Sequence, residues 1–148
     1  MGELSMSRRE REQFLAKTHV GIVCVAEEAG RAPLAVPIWY RYEPGDEVRF
    51  ITDANSRKAK LLREAGRATL IAQNESPPYQ YVTVEGPVAI VAEFDRVKDI
   101  EEVAYRYLGS GVGEAYLAAE DSASGENVLV TIRPERWGSA DFAKLRLR

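Results

Sequence analysis

Between Val20 and Thr52 three strand-like runs follow one another through turn-length connections, and that spacing excludes a parallel sheet for this part of the chain. The run VGIVCVA, from Val20 to Ala26, is apolar and β-branched and ends in the polar, glycine-containing EEAGR. In PLAVPIWYRYE, Leu34, Val36, Ile38, Tyr40 and Tyr42 fall on one face, and Ala35, Pro37, Trp39 and Arg41 on the other. EPGD then turns the chain into EVRFIT, with Val48 and Phe50 facing inward. Pro37 cannot donate to a ladder, so it marks an edge, a bulge or a place where a ligand meets the backbone.

The remaining segments fit the same plan. Ser7 followed by Glu10 has capping-box spacing, which predicts a short entry helix over residues 8–17. Ser56 as N-cap, Leu61 and Leu62 as apolar stripe and Gly66 past the end predict a helix over 57–65. RATLIAQ and YVTVEGPVAIVA read as strands, and Gly86–Pro87 predicts a bend where the sheet changes direction. Val97, Ile100, Val103, Ala104, Tyr107 and Leu108 recur at helical spacing, giving a helix ended by GSGVG, with a shorter one over 114–120. DSASGE reads as a flexible loop, NVLVTIRP as the last strand and ERWGSADFAKLRLR as a tail. Six strands with helical covers amount to a mainly β chain, a closed or nearly closed antiparallel sheet of Greek-key type.

At 148 residues the chain is the length of one domain, residues 1–148. A net charge of −3 argues against a nucleic-acid partner, since any anion must be gripped locally rather than by a basic surface. Cys24 is the single cysteine, so disulfides and multi-cysteine metal sites are excluded, and a reducing cytoplasm is expected. No window approaches a membrane span, so no membrane partner is expected.

The most informative local feature is ITDANSRKAKLL, a strand running through a short turn into a helix that opens with Ser56, Arg57 and Lys58. A helix start leaves N–H groups unpaired and carries partial positive charge, so an anion is stabilised there. Arg57 adds a planar fork, Lys58 a point charge, and Ser56 or Thr52 a hydroxyl, which together make a phosphate cradle. The bland alternative is a solvated basic face formed by Arg57, Lys58 and Lys60.

This ordered set, with P-I-W-Y on one strand, a strand ending in Thr52, S-R-K on a helix, then Y-V-T-V-E-G, resembles the pyridoxamine 5′-phosphate oxidase-like, FMN-binding split-barrel family, which includes coenzyme F420-dependent reductases. The resemblance spans residues 12–142. It implies a homodimeric split barrel with its cofactor at the subunit interface, coenzyme F420 first and FMN next. It also implies phosphate contacts from Thr52, Ser56, Arg57 and Lys58, and ring contacts from Pro37, Ile38 and Trp39. Trp137 in the tail either reaches the partner's cofactor or packs locally. The tail, R-P-E-R-W-G-S-A-D-F, lacks the Arg-x-His substrate signature of true pyridoxamine phosphate oxidases, which speaks against that substrate.

The expected activity is hydride transfer from the cofactor to a small conjugated or heteroaromatic acceptor, with no side chain assigned a catalytic role. The alternative is a non-catalytic protein that stores or senses a flavin, a deazaflavin or haem. Trp39 either stacks on a ring or fills a dimer interface. His19, beside a helix C-terminus, reads as structural and partly charged, and Cys24 as a small buried hydrophobe. Tyr79 and Tyr81 either line a substrate mouth or pack across strands. Glu27, Glu28, Glu101 and Glu102 read as solvated surface. Lys60, Arg63 and Arg41 are further cations that an anionic cofactor tail could use.

Overall fold

The computed structural model describes residues 2–122 and 125–145. Helix α1 (Arg8–Ala16) enters first and is fixed by the expected capping box: Ser7 Oγ accepts from Glu10 N–H, and the Glu10 carboxylate accepts from Ser7 N–H at 2.8 Å. Its Phe14 and Leu15 are buried. Ser7→Ala should therefore lower stability by about 1 kcal/mol in urea unfolding, with Glu10→Gln giving a smaller loss because the hydroxyl cap survives.

The strands are β1 (Gly21–Val25), β2 (Leu34–Ile38), β3 (Val48–Asp53), β4 (Arg67–Gln73), β5 (Gln80–Val91), β6 (Asn127–Ile132) and β7 (Arg136–Asp141), with α2 (Arg57–Ala65) between β3 and β4. Six of them form an antiparallel path in the order β2-β1-β4-β5-β6-β3, curled as a split barrel. Arg41, just past β2, exchanges both backbone hydrogen bonds with Arg49 of β3, so the two ends of the path meet. Tyr40 and Tyr42 turn inward beside Ile38, Val48 and Phe50, which puts the alternating face of the second run into the core.

The bend expected at Gly86–Pro87 is the hinge between two halves of the sheet. Residues 81–87 of β5 pair with β4, whereas Val88–Val91 pair with β6. The segment joining β6 to β7 crosses β5 at this point, with Arg133 N–H donating to Pro87 O and Glu135 N–H to Glu85 O.

Two readings are corrected. The tail contains a seventh strand, β7, which pairs with Gln80–Glu85 of β5. Its Gly138, Ser139 and Ala140 carry no β-branched signal, yet a side chain at Gly138 would strike Thr83 Oγ1, so small residues suit this pairing. GSGVG does not end the helical region either. A π-helical turn (Val97–Glu101) leads into α3 (Glu102–Leu108), only Gly109 breaks the chain, at φ 78°, and α4 runs from Ser110 to Ser122. Gly113 lies inside α4 because Tyr105 of α3 fills the space its Cβ would need. The flexible loop predicted over DSASGE falls partly outside the described residues, and its Asp121 and Ser122 are helical.

Among the described residues, no helix is long and apolar enough to cross a membrane.

Candidate functional site

The α3–α4 arm stands away from the main core and has a small apolar cluster of its own, Ile100, Ala104 and Leu117, against which Trp39 packs. Trp39 stacks on Tyr107 with ring centroids 5.1 Å apart and 7° between planes, and Tyr116 of α4 tilts against the same Trp39 ring at 5.1 Å and 53°. Tyr107 Oη donates to His19 O at 2.6 Å and accepts from Tyr40 N–H at 3.1 Å, tying the arm to β1 and β2. A second tie is electrostatic. Asp99 is buried and takes a bidentate pair from Arg49 at 3.0 and 3.1 Å, with Arg41 at 3.9 Å.

Between this arm, β2, β3 and the start of α2 lies a cavity of about 810 Å³. That volume falls in the range of small-molecule and cofactor sites. Five sequence-predicted site residues line it: Pro37, Ile38, Trp39, Thr52 and Lys58. It contains three cations. Arg49 is held by Asp99 and Arg96 by Asp121, whereas Lys58 has no carboxylate partner among the described residues. Lys58 is half-buried, and burial alone pulls its amine below the usual lysine range.

Three predicted residues are placed elsewhere. Ser56 serves as N-cap of α2: its Oγ accepts from Ala59 N–H at 3.1 Å and donates to Asp53 O at 2.7 Å, with Thr52 Oγ1 at 3.3 Å. Arg57 is held in a bidentate pair by Glu27, at 2.6 and 2.8 Å. Trp137 lines a separate cavity of about 410 Å³, with the Arg11 guanidinium 4.7 Å above its ring and Tyr42 edge-on at 6.2 Å.

The reading of Glu27 as solvated surface is overturned, because its side chain is only 2% exposed and also meets Arg31 at 3.5 Å. Hydrogen bonding to Arg57 holds its carboxyl at about 2. A carboxyl depressed on folding stabilises the fold above its ordinary pKa of 4.5, and that contribution is lost as the pH falls towards 2. Acid unfolding of Glu27→Gln should therefore start from a lower stability and show a shallower loss over that interval, read by circular dichroism.

His19 is structural, but burial pulls its pKa below the ordinary value, so the expectation of a partly charged ring fails. The neutral ring stacks on Phe14 and donates from Nε2 to Phe14 O at 2.9 Å. Cys24 is half-buried in β1. Tyr79 and Tyr81 are exposed and do not line the cavity. Arg63 donates to Ala54 O, and Lys60 faces Glu64. Asp99, Arg49 and Tyr116 were missed. Asp99 is an acid within a helical apolar pattern, and nothing in the residue order announces that two arginines from other segments converge on it.

Comparison with known proteins agrees with the fold. The family model described as pyridoxamine 5′-phosphate oxidase matches residues 7–140. The chain belongs to the pyridoxamine 5′-phosphate oxidase family. Among solved structures, this family member is similar to a conserved hypothetical protein of Mycobacterium tuberculosis, with TM-score 0.79 and 26% identity, covering 100% of this chain and 92% of that one. It is also similar to an F420 reductase, at TM-score 0.66 and 19% identity over 86% of this chain and 94% of that one. A third likeness is to an FAD and haem binding protein of Mycobacterium smegmatis, at TM-score 0.64 and 17% identity, over 95% and 73% of the two chains. No curated protein matches this family member.

Proposed function

We propose that the cavity seats a flavin-type cofactor and that the protein is an oxidoreductase transferring hydride between that cofactor and a small conjugated or heteroaromatic acceptor. The observation that carries the reading is Lys58, a half-buried ammonium facing the cavity with no carboxylate of its own among the described residues. A cation in that position is favoured by a bound anion, and it stands on the first turn of α2, where a helix carries partial positive charge. Thr52 supplies a hydroxyl within the same lining, while Pro37, Ile38 and Trp39 offer a flat apolar wall for a ring system.

The cofactor supplies the hydride chemistry, and the protein's residues position and desolvate it. The Trp39–Tyr107–Tyr116 cluster fixes one wall, and the Arg49–Asp99 pair keeps that wall attached to β3. Coenzyme F420 is the first choice and FMN the second, on the strength of the F420 reductase and flavin-binding likenesses. The cofactor lies at a homodimer interface in this reading. Val20 and Tyr116, exposed apolar side chains in the cavity lining, offer surface there for a second copy.

Titration with FMN and with coenzyme F420, followed by fluorescence, tests the reading. Lys58→Ala should weaken whichever binds by about tenfold to a hundredfold, while circular dichroism stays unchanged. Equal affinity in the variant would remove the anion seat. Cofactor oxidation that depends on an added acceptor supports catalysis, whereas tight binding without it supports storage or sensing. Sedimentation with and without cofactor measures the proposed dimer.

A further inference from the structure

Arg57 and Lys58 are adjacent on the first turn of α2, yet their charges are treated differently by the fold. Lys58 faces the cavity with no carboxylate in salt-bridge contact among the described residues. Arg57 has both arms of its guanidinium on Glu27, at 2.6 and 2.8 Å, and Glu28 lies 3.9 Å away. The Glu27 side chain is 2% exposed and has only a longer second link, to the exposed Arg31, so pulling Arg57 away would leave its carboxylate with that weaker partner alone. Arg57 is therefore not at the disposal of an incoming phosphate. The start of α2 presents one uncompensated positive charge, that of Lys58, where residue order alone offers two.

We propose that Glu27 is a specificity-determining residue: by neutralising Arg57 it matches the seat to a singly charged phosphodiester rather than to a doubly charged phosphomonoester.

This rests on the reading of Lys58 as the anion seat and narrows its ligand class. A phosphomonoester carries close to two negative charges at neutral pH, because its second pKa is about 6. Its second charge would find no free cation at the start of α2, and the cavity lining adds the carboxylates of Asp53 and Glu120. A phosphodiester carries one charge and leaves the Glu27–Arg57 pair undisturbed. The deazaflavin coenzyme is joined to its tail through a phosphodiester, whereas FMN is a monoester.

Three probes share one ring system and differ in charge: FMN, its 5′-methyl phosphodiester and riboflavin. The full-length protein should bind the methyl ester at least as tightly as FMN. Glu27→Gln releases Arg57, and the preference should move towards FMN by about tenfold. Glu27→Gln with Arg57→Gln removes one charge of each sign, and the preference should return to that of the wild type. This double variant also serves if Glu27→Gln alone folds poorly. A wild-type preference for FMN of tenfold or more, or a preference unmoved by Glu27→Gln, overturns the proposal. Lys58→Ala separates the two levels: if it weakens both phosphate-bearing probes towards riboflavin while Glu27→Gln changes nothing, only the role of Glu27 falls. If Lys58→Ala leaves both unchanged, the seat itself falls.

Discussion

Gly86→Ala should destabilise the protein by about 3 kcal/mol or more, enough to move its urea midpoint by more than about 1 M. The added methyl carbon would lie 1.6 Å from Arg133 O and 2.8 Å from Arg133 C, and both are backbone atoms. No rotamer change relieves such an overlap. Either β5 or the 133–135 crossing must shift, and both are held, by Arg133 N–H on Pro87 O and Glu135 N–H on Glu85 O. Gly45→Ala is the useful contrast: its Cβ would meet nothing, but its φ of 85° makes the change a matter of local backbone strain alone, about 1 kcal/mol. A loss below about 1 kcal/mol for Gly86→Ala would show that the crossing yields easily, and the close packing at the hinge would have to be abandoned.

Asp99→Ala should cost about 3 kcal/mol, because it leaves Arg41 and Arg49 facing each other across a site that water reaches poorly. The figure lies at the low end for broken buried pairs, since Arg41 keeps 18% and Arg49 26% of its side-chain exposure. Arg41 has the less favourable position even in the intact protein, with its Nη1 buried and lacking a hydrogen-bond partner. Asp99 joins the π-helical turn to β3, so its loss should loosen the arm before the barrel. Hydrogen exchange would then rise first in residues 97–122, with β4 and β5 still protected. Replacing Asp99 by leucine and both Arg41 and Arg49 by methionine should recover much of the lost stability, as apolar packing then removes all three charges together. Uniform exchange across the chain in Asp99→Ala would sink this account of the arm.

The parts of the fold that repeat a local rule were legible in the residue order. The alternation from Leu34 to Tyr42, the Ser7–Glu10 box and the Ser56–Gly66 brackets of α2 each specify geometry within a few residues. Gly86–Pro87 was legible for the same reason, as the bend is written into β5 itself. What escaped depends on partners distant in the chain. β7 is a strand because β5 offers it an edge, not because Gly138–Ala140 favour extension. Gly111 and Gly113 looked like helix breakers, but Tyr105 makes a glycine the residue that fits at the second of them.

The cavity follows the same division. The strand-to-helix start points to Thr52 and Lys58, the family resemblance points to Pro37, Ile38 and Trp39, and all five line the cavity. The residue order does not show that Arg57 is paired, because its partner is not the nearby Asp53 but Glu27, which reaches it across 30 positions. Tyr107 was read simply as part of an apolar helix face, although its hydroxyl links His19 O to the amide of Tyr40.

The pairing of β3 bears on synthesis. Apart from the single Arg41–Arg49 pair, β3 is laddered only to β6, with Thr52 opposite Val128, among the described residues. During translation the strand carrying Thr52 stays without its main support until residues beyond Ile132 have left the ribosome. On the proposed reading, ligand capture must wait for the β6 segment, and nascent chains stalled before Asn127 should be unable to retain cofactor.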